Sequence, residues 1–139
     1  MRWLGRGGMG SVYEVDDCEL GVRVALKMAE GAGWSPRAVG QLKREIQLAR
    51  RVTHPNVCRV HDFGMHVVES GAGTPFLTME LIEGRTLAAE LAEQGRLDAD
   101  RTLARAEAMA AALDAAHAAG VVHRDFKTGN VMLAGIGRS

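Results

Sequence analysis

A chain of 139 residues, 47% of them apolar, has one domain's length and enough apolar material for a packed core, which excludes a disordered chain. Seventeen basic residues balance seventeen acidic ones, so no net field draws the protein to nucleic acid or to an anionic membrane. Any charge-based chemistry must therefore be local.

Residues 5–29 carry the punctuation of strands. Ser11-Val12-Tyr13-Glu14-Val15 alternates and is rich in β-formers, and Asp16-Asp17 supplies a turn. Val22–Ala29 is the next expected strand; its period of two puts Val22, Val24, Leu26 and Met28 on one face and Arg23, Ala25, Lys27 and Ala29 on the other. Ser35 before Pro36 reads as an N-cap with proline at the first helical position. This opens a helix to about Val52, where His54-Pro55 stops it. Ala38, Leu42, Glu45, Ala49 and Val52 fall on one stripe of that helix. Glu45 is the odd member: a carboxylate on an apolar stripe is costly unless a cation meets it, so the helix predicts a basic partner.

Two further strands are expected at residues 57–63 and 76–81, with a loop over 69–74. A short helix over 86–93 and a long one from an Asp98 cap to a Gly120 stop follow, the latter with Leu103, Ala106, Ala110, Leu113 and His117 as its buried stripe. The alanine-rich run 108–122 is interrupted by Asp114 and His117 and is too short to span a bilayer, and Met1-Arg2-Trp3-Leu4-Gly5 does not open a signal peptide. Strand-like pieces at 121–122 and 131–133 flank a polar loop. Strands first and helices second imply an α+β fold in two segregated parts. Cys18 and Cys58 stand forty positions apart with no CxxC pair, which argues against a disulfide framework or zinc site and fits reduced thiols in a cytoplasmic protein. His54, His61 and His66 lack metal-ligand spacing, His117 reads as a core histidine, and Met28, Met79, Met109 and Met132 read as packing residues.

Gly5-Arg6-Gly7-Gly8-Met9-Gly10-Ser11-Val12 matches G-x-G-x-x-G-x-V, a loop whose backbone N–H groups can close over phosphate oxygens. A dinucleotide fingerprint is the rival, and Glu30 even stands twenty positions past Gly10, but that fingerprint must open a helix and this segment alternates as a strand. A Walker A loop is excluded because no Lys-Ser or Lys-Thr follows the glycines. Val24-Ala25-Leu26-Lys27 supplies the cation that Glu45, eighteen positions later, requires. A solvated strand lysine is the plainer alternative, and Glu45 counts against it. The decisive segment is Val121-Val122-His123-Arg124-Asp125-Phe126-Lys127-Thr128-Gly129-Asn130-Val131, with polar groups at fixed offsets.

Taken in this order, the glycine loop, strand lysine, helix glutamate and HRDFKTGN segment resemble protein kinases, in the serine/threonine variety and the eukaryotic-like form found in bacteria. The resemblance implies a kinase-like α+β fold: a five-stranded antiparallel first lobe with one helix over residues 1–82, then the first helices and catalytic loop of the second lobe over 83–139. It implies transfer of the γ-phosphoryl group of ATP, with Mg²⁺, to hydroxyls of a protein substrate. Carried over residue by residue, Gly5, Gly7 and Gly10 would cover the ATP phosphates, Lys27 would hold the α- and β-phosphates, and Glu45 would position Lys27. Val12, Ala25 and Met132 would sandwich adenine, with Met79 as gatekeeper and Glu80 and Ile82 offering backbone groups to the base. Asp125 would accept the substrate proton, Lys127 would touch the transferring phosphoryl group, and Asn130 would ligate Mg²⁺.

Asp62-Phe63-Gly64 spells the second metal motif of such kinases, but it precedes the catalytic loop and reads as strand and turn. The true motif is expected beyond Leu133, where residues 134–139 do not carry it. The chain thus reads as truncated, binding ATP weakly and transferring phosphate poorly by itself. A non-catalytic pseudokinase-like module and a truncated gene product are the alternatives. Retention of Lys27, Glu45, Asp125 and Asn130 favours descent from an active enzyme.

Overall fold

The computed structural model describes residues 1–7, 10–31 and 33–135. Gly8 and Met9 of the glycine loop and the end of the chain after Gly135 lie outside the described residues. The chain divides into two compact units. The first takes Met1–Thr53 with Cys58–Leu81, the second His54–Val57 with Ile82 onward.

The first unit is built on a five-stranded antiparallel sheet. Its strands are β1 (Arg2–Gly7), β2 (Gly10–Asp17), β3 (Val22–Ala29), β4 (Val60–Val67) and β5 (Gly73–Met79), in the spatial order β1-β2-β3-β5-β4. The alternation read from residues 22–29 matches the observed strand end for end. The β2–β3 turn lies one step beyond the expected Asp16-Asp17. Asp17 still ends β2, its Oδ1 accepts the N–H groups of Glu19 and Leu20 at 3.0 Å each, and Gly21 closes the turn at φ 67°.

Strands expected at 57–63 and 76–81 are displaced to β4 and β5. Val57 N–H donates back to the His54 carbonyl, so this stretch is a turn rather than a ladder, and pairing begins at Val60. Pairing then continues past Phe63, because Met65, His66 and Val67 lie opposite Pro75, Thr74 and Gly73. Asp62-Phe63-Gly64 sits within β4. Asp62 is exposed toward Arg50 at 3.8 Å, Phe63 carries Lys43 Nζ 5.3 Å above its ring, and a side chain at Gly64 would strike the Phe76 ring.

Helix α1 (Pro36–Ala49) begins as expected, with Ser35 Oγ accepting the Ala38 N–H at 3.1 Å and proline in the first turn. Its inward stripe is different. Val39, Leu42, Ile46 and Ala49 turn inward and only Ile46 is fully buried, whereas Glu45, expected on the buried face, is exposed. Glu45 lies about 80° around the helix from the centre of that apolar stripe, at 100° per residue, so the cost of burying its carboxylate does not arise. Val24, Ala25, Ile46, Val52 and Pro75 are the buried centre of this unit.

In the second unit, β6 (Gly84–Thr86) leads directly into α2 (Leu87–Gln94), α3 (Ala99–Ala118) follows, and β7 (Met132–Ala134) returns to pair with β6. Thr86 and Asp98 cap the two helices, accepting the N–H groups of Ala89 at 3.0 Å and Arg101 at 2.8 Å. The stripe expected to be buried on α3 is not. Leu103, Ala106, Ala110 and His117 are exposed, Leu113 is half-buried, and the inward positions are Arg105, Met109, Ala112, Ala116 and Ala119. Nor do Val121-Val122 form a strand. Val121 N–H donates to the Ala116 carbonyl at 2.9 Å and Gly120 takes φ 81°, so these residues finish the helix instead of joining a ladder. No helix among the described residues is long and apolar enough to cross a membrane.

Candidate active site

The first unit gathers one set of expected site residues through strand register. Gly5 lies opposite Val12, Val12 opposite Lys27, and Lys27 opposite Leu77. Directly opposed residues of an antiparallel sheet share a face, so Gly5, Val12 and Lys27 stand in one row, with Ala25 on the same face two residues along β3. Lys27 is half-buried and Ala25 buried. Gly7 pairs with Gly10, and Gly10 in turn lies opposite Ala29. Gly10 has φ 144°, and a Cβ there would stand 1.9 Å from the Met28 carbonyl oxygen, so glycine is the residue this crossing admits. Around Gly5 nothing lies within 4 Å of such an atom. Glu45 is on α1 of the same unit, and both Lys27 and Glu45 are engaged with neighbouring groups.

Met79 ends β5 opposite Ala25 and Val60. Both backbone groups of Glu80 are engaged, its N–H donating to the Arg59 carbonyl at 2.8 Å and its carbonyl oxygen lying 3.6 Å from Cys58 Sγ, and its side-chain Oε2 accepts the Arg59 N–H at 3.2 Å. Burial, reinforced by the Glu80 carboxylate, pushes the Cys58 thiol up to about 11. Alkylation at pH 8 should therefore modify exposed Cys18 while Cys58 stays protected until the sheet opens. Peptide mapping after a short iodoacetamide pulse would show this, and equal labelling of the two would contradict it.

The second unit assembles the other set. Lys127 Nζ lies 3.4 Å from Asp125 Oδ1, and Asn130 Nδ2 donates to both the Asp125 carbonyl at 2.8 Å and Asp125 Oδ2 at 3.2 Å. The Thr128–Asn130 segment forms a 3₁₀ turn, with Asn130 N–H donating to the Lys127 carbonyl at 2.9 Å, which returns the amide side chain to the aspartate. The Asp125 N–H donates to His123 Nδ1 at 3.3 Å, and the His123 and Phe126 rings meet edge to face at 5.6 Å. Arg124 between them holds φ 64°, a left-handed conformation costing a non-glycine residue on the order of 1–2 kcal/mol. The loop is fixed from behind, since Leu87 N–H donates to the Val131 carbonyl at 2.8 Å and Thr86 pairs with Met132. Met132 itself is partly exposed and Ile82 half-buried.

Two constellations escaped the sequence reading. Glu90 of α2 is fully buried and meets three arginines: Arg101 Nη2 at 2.9 Å, Arg105 Nη2 at 3.2 Å and Arg85 Nη2 at 3.5 Å. Its signal was its place between Leu87 and Leu91, with Arg101 and Arg105 one helical turn apart. In the first unit, Arg6 Nη2 lies 2.7 Å from Glu30 Oε2 and Ser11 Oγ donates to Glu30 Oε1 at 3.1 Å. An open hollow of about 290 Å³ beside Met1, Arg2, Glu14, Val15, Asp16 and Arg23 contains none of the expected site residues. Arg23, aided by Arg2, holds the Glu14 carboxyl there below the usual range.

Glycines on the first two strands of an antiparallel sheet, a lysine in register on the third, and an aspartate–lysine–asparagine cluster following two capped helices are the features by which the chain compares with known proteins. The chain belongs to the protein kinase family: the family model described as "Protein kinase domain" matches residues 1–137. It is 37% identical over 138 residues to the serine/threonine-protein kinase PknA of Mycobacterium tuberculosis, covering 99% of this chain and 32% of that protein. It is 42% identical over 135 residues to the serine/threonine-protein kinase PknD of Mycobacterium tuberculosis, covering 96% of this chain and 19% of that protein. To the serine/threonine-protein kinase PknE of Mycobacterium bovis it is 42% identical over 134 residues, covering 96% of this chain and 23% of that protein. The chain thus spans about a fifth to a third of these relatives' lengths.

Proposed function

We propose that this chain carries the nucleotide-binding and catalytic-loop parts of a serine/threonine protein kinase, transferring the γ-phosphoryl group of ATP to serine or threonine hydroxyls of a protein substrate in the cytoplasm. The observation that supports this most is the Asp125–Lys127–Asn130 cluster, in which a carboxylate, an ammonium and an amide are held together by one 3₁₀ turn.

The roles follow from chemistry. Asp125 accepts the proton of the attacking hydroxyl as its oxygen bonds to the γ-phosphorus and the bond to the β-phosphate oxygen breaks, leaving ADP. Lys127, paired with Asp125, places positive charge where the transferring group gathers negative charge. Asn130 spends its Nδ2 donors on Asp125, which directs its Oδ1 acceptor away from that partner. That hard oxygen suits Mg²⁺, which favours few protein oxygens supplemented by water and phosphate. When bound, the ion would neutralise phosphate charge. Lys27, positioned by Glu45, would bind the α- and β-phosphates on the sheet face it shares with Gly5 of β1 and Val12 of β2, while Val12, Ala25 and Met132 would pack on adenine and Glu80 and Ile82 would offer it backbone groups.

Lys27→Met in the 139-residue chain should weaken ATP binding by about tenfold or more, the loss expected when a charged hydrogen-bonding partner of phosphate is removed. In a complete kinase domain carrying this segment, Asp125→Asn should leave ATP affinity nearly unchanged and lower phosphoryl transfer to a basic serine peptide about a hundredfold. Titration of a fluorescent ATP analogue alongside a radiolabelled transfer assay separates the two. Equal loss of binding in both variants would refute the assigned roles.

A further inference from the structure

Arg6 of β1 and Ser11 of β2, at the glycine end of the sheet, converge on the carboxylate of Glu30, the residue that follows β3. Arg6 is opposite Ser11 and Ser11 opposite Met28, so Arg6, Ser11 and Met28 share a sheet face, the reverse of the face bearing Val12 and Lys27. Glu30, two residues past Met28, receives Arg6 Nη2 at 2.7 Å on one oxygen and Ser11 Oγ at 3.1 Å on the other. Both arms flanking the glycine loop are thereby tied to the end of β3, the strand that carries Lys27.

From this geometry we propose that the Arg6–Glu30–Ser11 clasp is a positioning device for the polyphosphate of the nucleotide, acting from the back of the sheet and without touching the ligand. The inference rests on the reading that the glycine loop and Lys27 bind ATP. A group that positions the loop differs in sign from one that merely contributes charge. If Arg6 and Glu30 acted only through their fields, removing the cation would weaken binding of a polyanion and removing the carboxylate would strengthen it. If they hold the two arms in register with Lys27, removing either weakens binding, and removing both costs no more than removing one. The state of the carboxylate agrees with a formed clasp: the Arg6 guanidinium, with help from the Ser11 hydroxyl, holds Glu30 below the ordinary carboxylate range. Both partners are largely exposed, with side-chain exposures of 69% for Arg6 and 41% for Glu30, so the effect is modest, about three- to fivefold in affinity for such a pair.

The test is titration of the 139-residue chain and its Arg6→Gln, Glu30→Gln and double variants with the non-hydrolysable triphosphate AMP-PNP and with adenosine. Both single variants should bind AMP-PNP about three- to fivefold more weakly, the double variant no worse, and the charge-exchanged Arg6→Glu/Glu30→Arg pair should recover part of the loss. Adenosine affinity should stay constant throughout, which also verifies folding. Tighter AMP-PNP binding by Glu30→Gln, additive losses, or unchanged affinity in both single variants would overturn the clasp while leaving the nucleotide reading intact. Failure of the unsubstituted chain to bind either ligand would overturn both.

Discussion

Glu90→Ala is expected to destabilise the second unit by roughly 3–5 kcal/mol, the range seen when one member of a buried ion cluster is removed and its partners stay behind. Glu90 is fully buried, and three guanidiniums depend on it. Arg85 has Glu93 as a second acceptor and Arg101 has Gln94 at 2.9 Å. Arg105 has, among the described residues, no hydrogen-bond acceptor other than the two oxygens of Glu90, and its Nε is already buried without a partner, as is that of Arg85. Removing the carboxylate therefore leaves at least one covered cation with nothing to offset its desolvation. Glu90→Gln keeps an acceptor of the same shape and should cost less than the alanine variant. Urea unfolding followed by helical circular dichroism would measure both, and a loss under about 1 kcal/mol for Glu90→Ala would show that the cluster behaves as an ordinary surface network. The expected loss extends beyond α2, because Arg85 belongs to the ribbon that pairs with Met132–Ala134 and Leu87 holds the Val131 carbonyl. A loosened cluster would release the loop containing Asp125 and Asn130.

What could be read from the sequence was whatever depends on neighbours in the chain. The caps at Ser35 and Asp98, the strand Val22–Ala29 and the aspartate–lysine–asparagine offsets of residues 125–130 are local, and the structure shows those caps, that strand and a compact cluster at those offsets. The face each helix buries is not local. In α3, alanines on nearly every side offer two apolar stripes of equal merit. The choice fell to the stripe holding Arg105, whose guanidinium meets Glu90 while its stem packs inward. The same reasoning accounts for Glu45: the neighbouring position, Ile46, is larger and more apolar, and turning it inward moves Glu45 to the flank. His117, read as a core residue from its spacing, followed the wrong stripe to the surface. Pairings that cross strands, such as Arg6 and Ser11 with Glu30, need the register as well as the composition, and only the folded sheet supplies it.

Gly10→Ala is expected to cost the first unit roughly 3–5 kcal/mol, since a backbone conformation hostile to L side chains and a clash with main-chain atoms add together. The added carbon would stand 1.9 Å from the Met28 carbonyl oxygen, 2.9 Å from its carbon and 3.1 Å from Ala29 Cα, none of which can rotate aside. At Gly64 the obstacle is the movable Phe76 ring, and at Gly5 there is none. Gly5→Ala should thus change stability by less than about 1 kcal/mol, although both glycines belong to the same G-x-G-x-x-G motif. The two substitutions separate a steric requirement of the fold from a requirement of nucleotide approach. Chemical denaturation should distinguish them sharply, whereas AMP-PNP binding should suffer in both if the backbone at Gly5 must lie close to phosphate. Similar unfolding midpoints for the two variants would mean that β2 can slide at Gly10, and the row that aligns Gly5, Val12 and Lys27 would then be adjustable rather than fixed by this crossing.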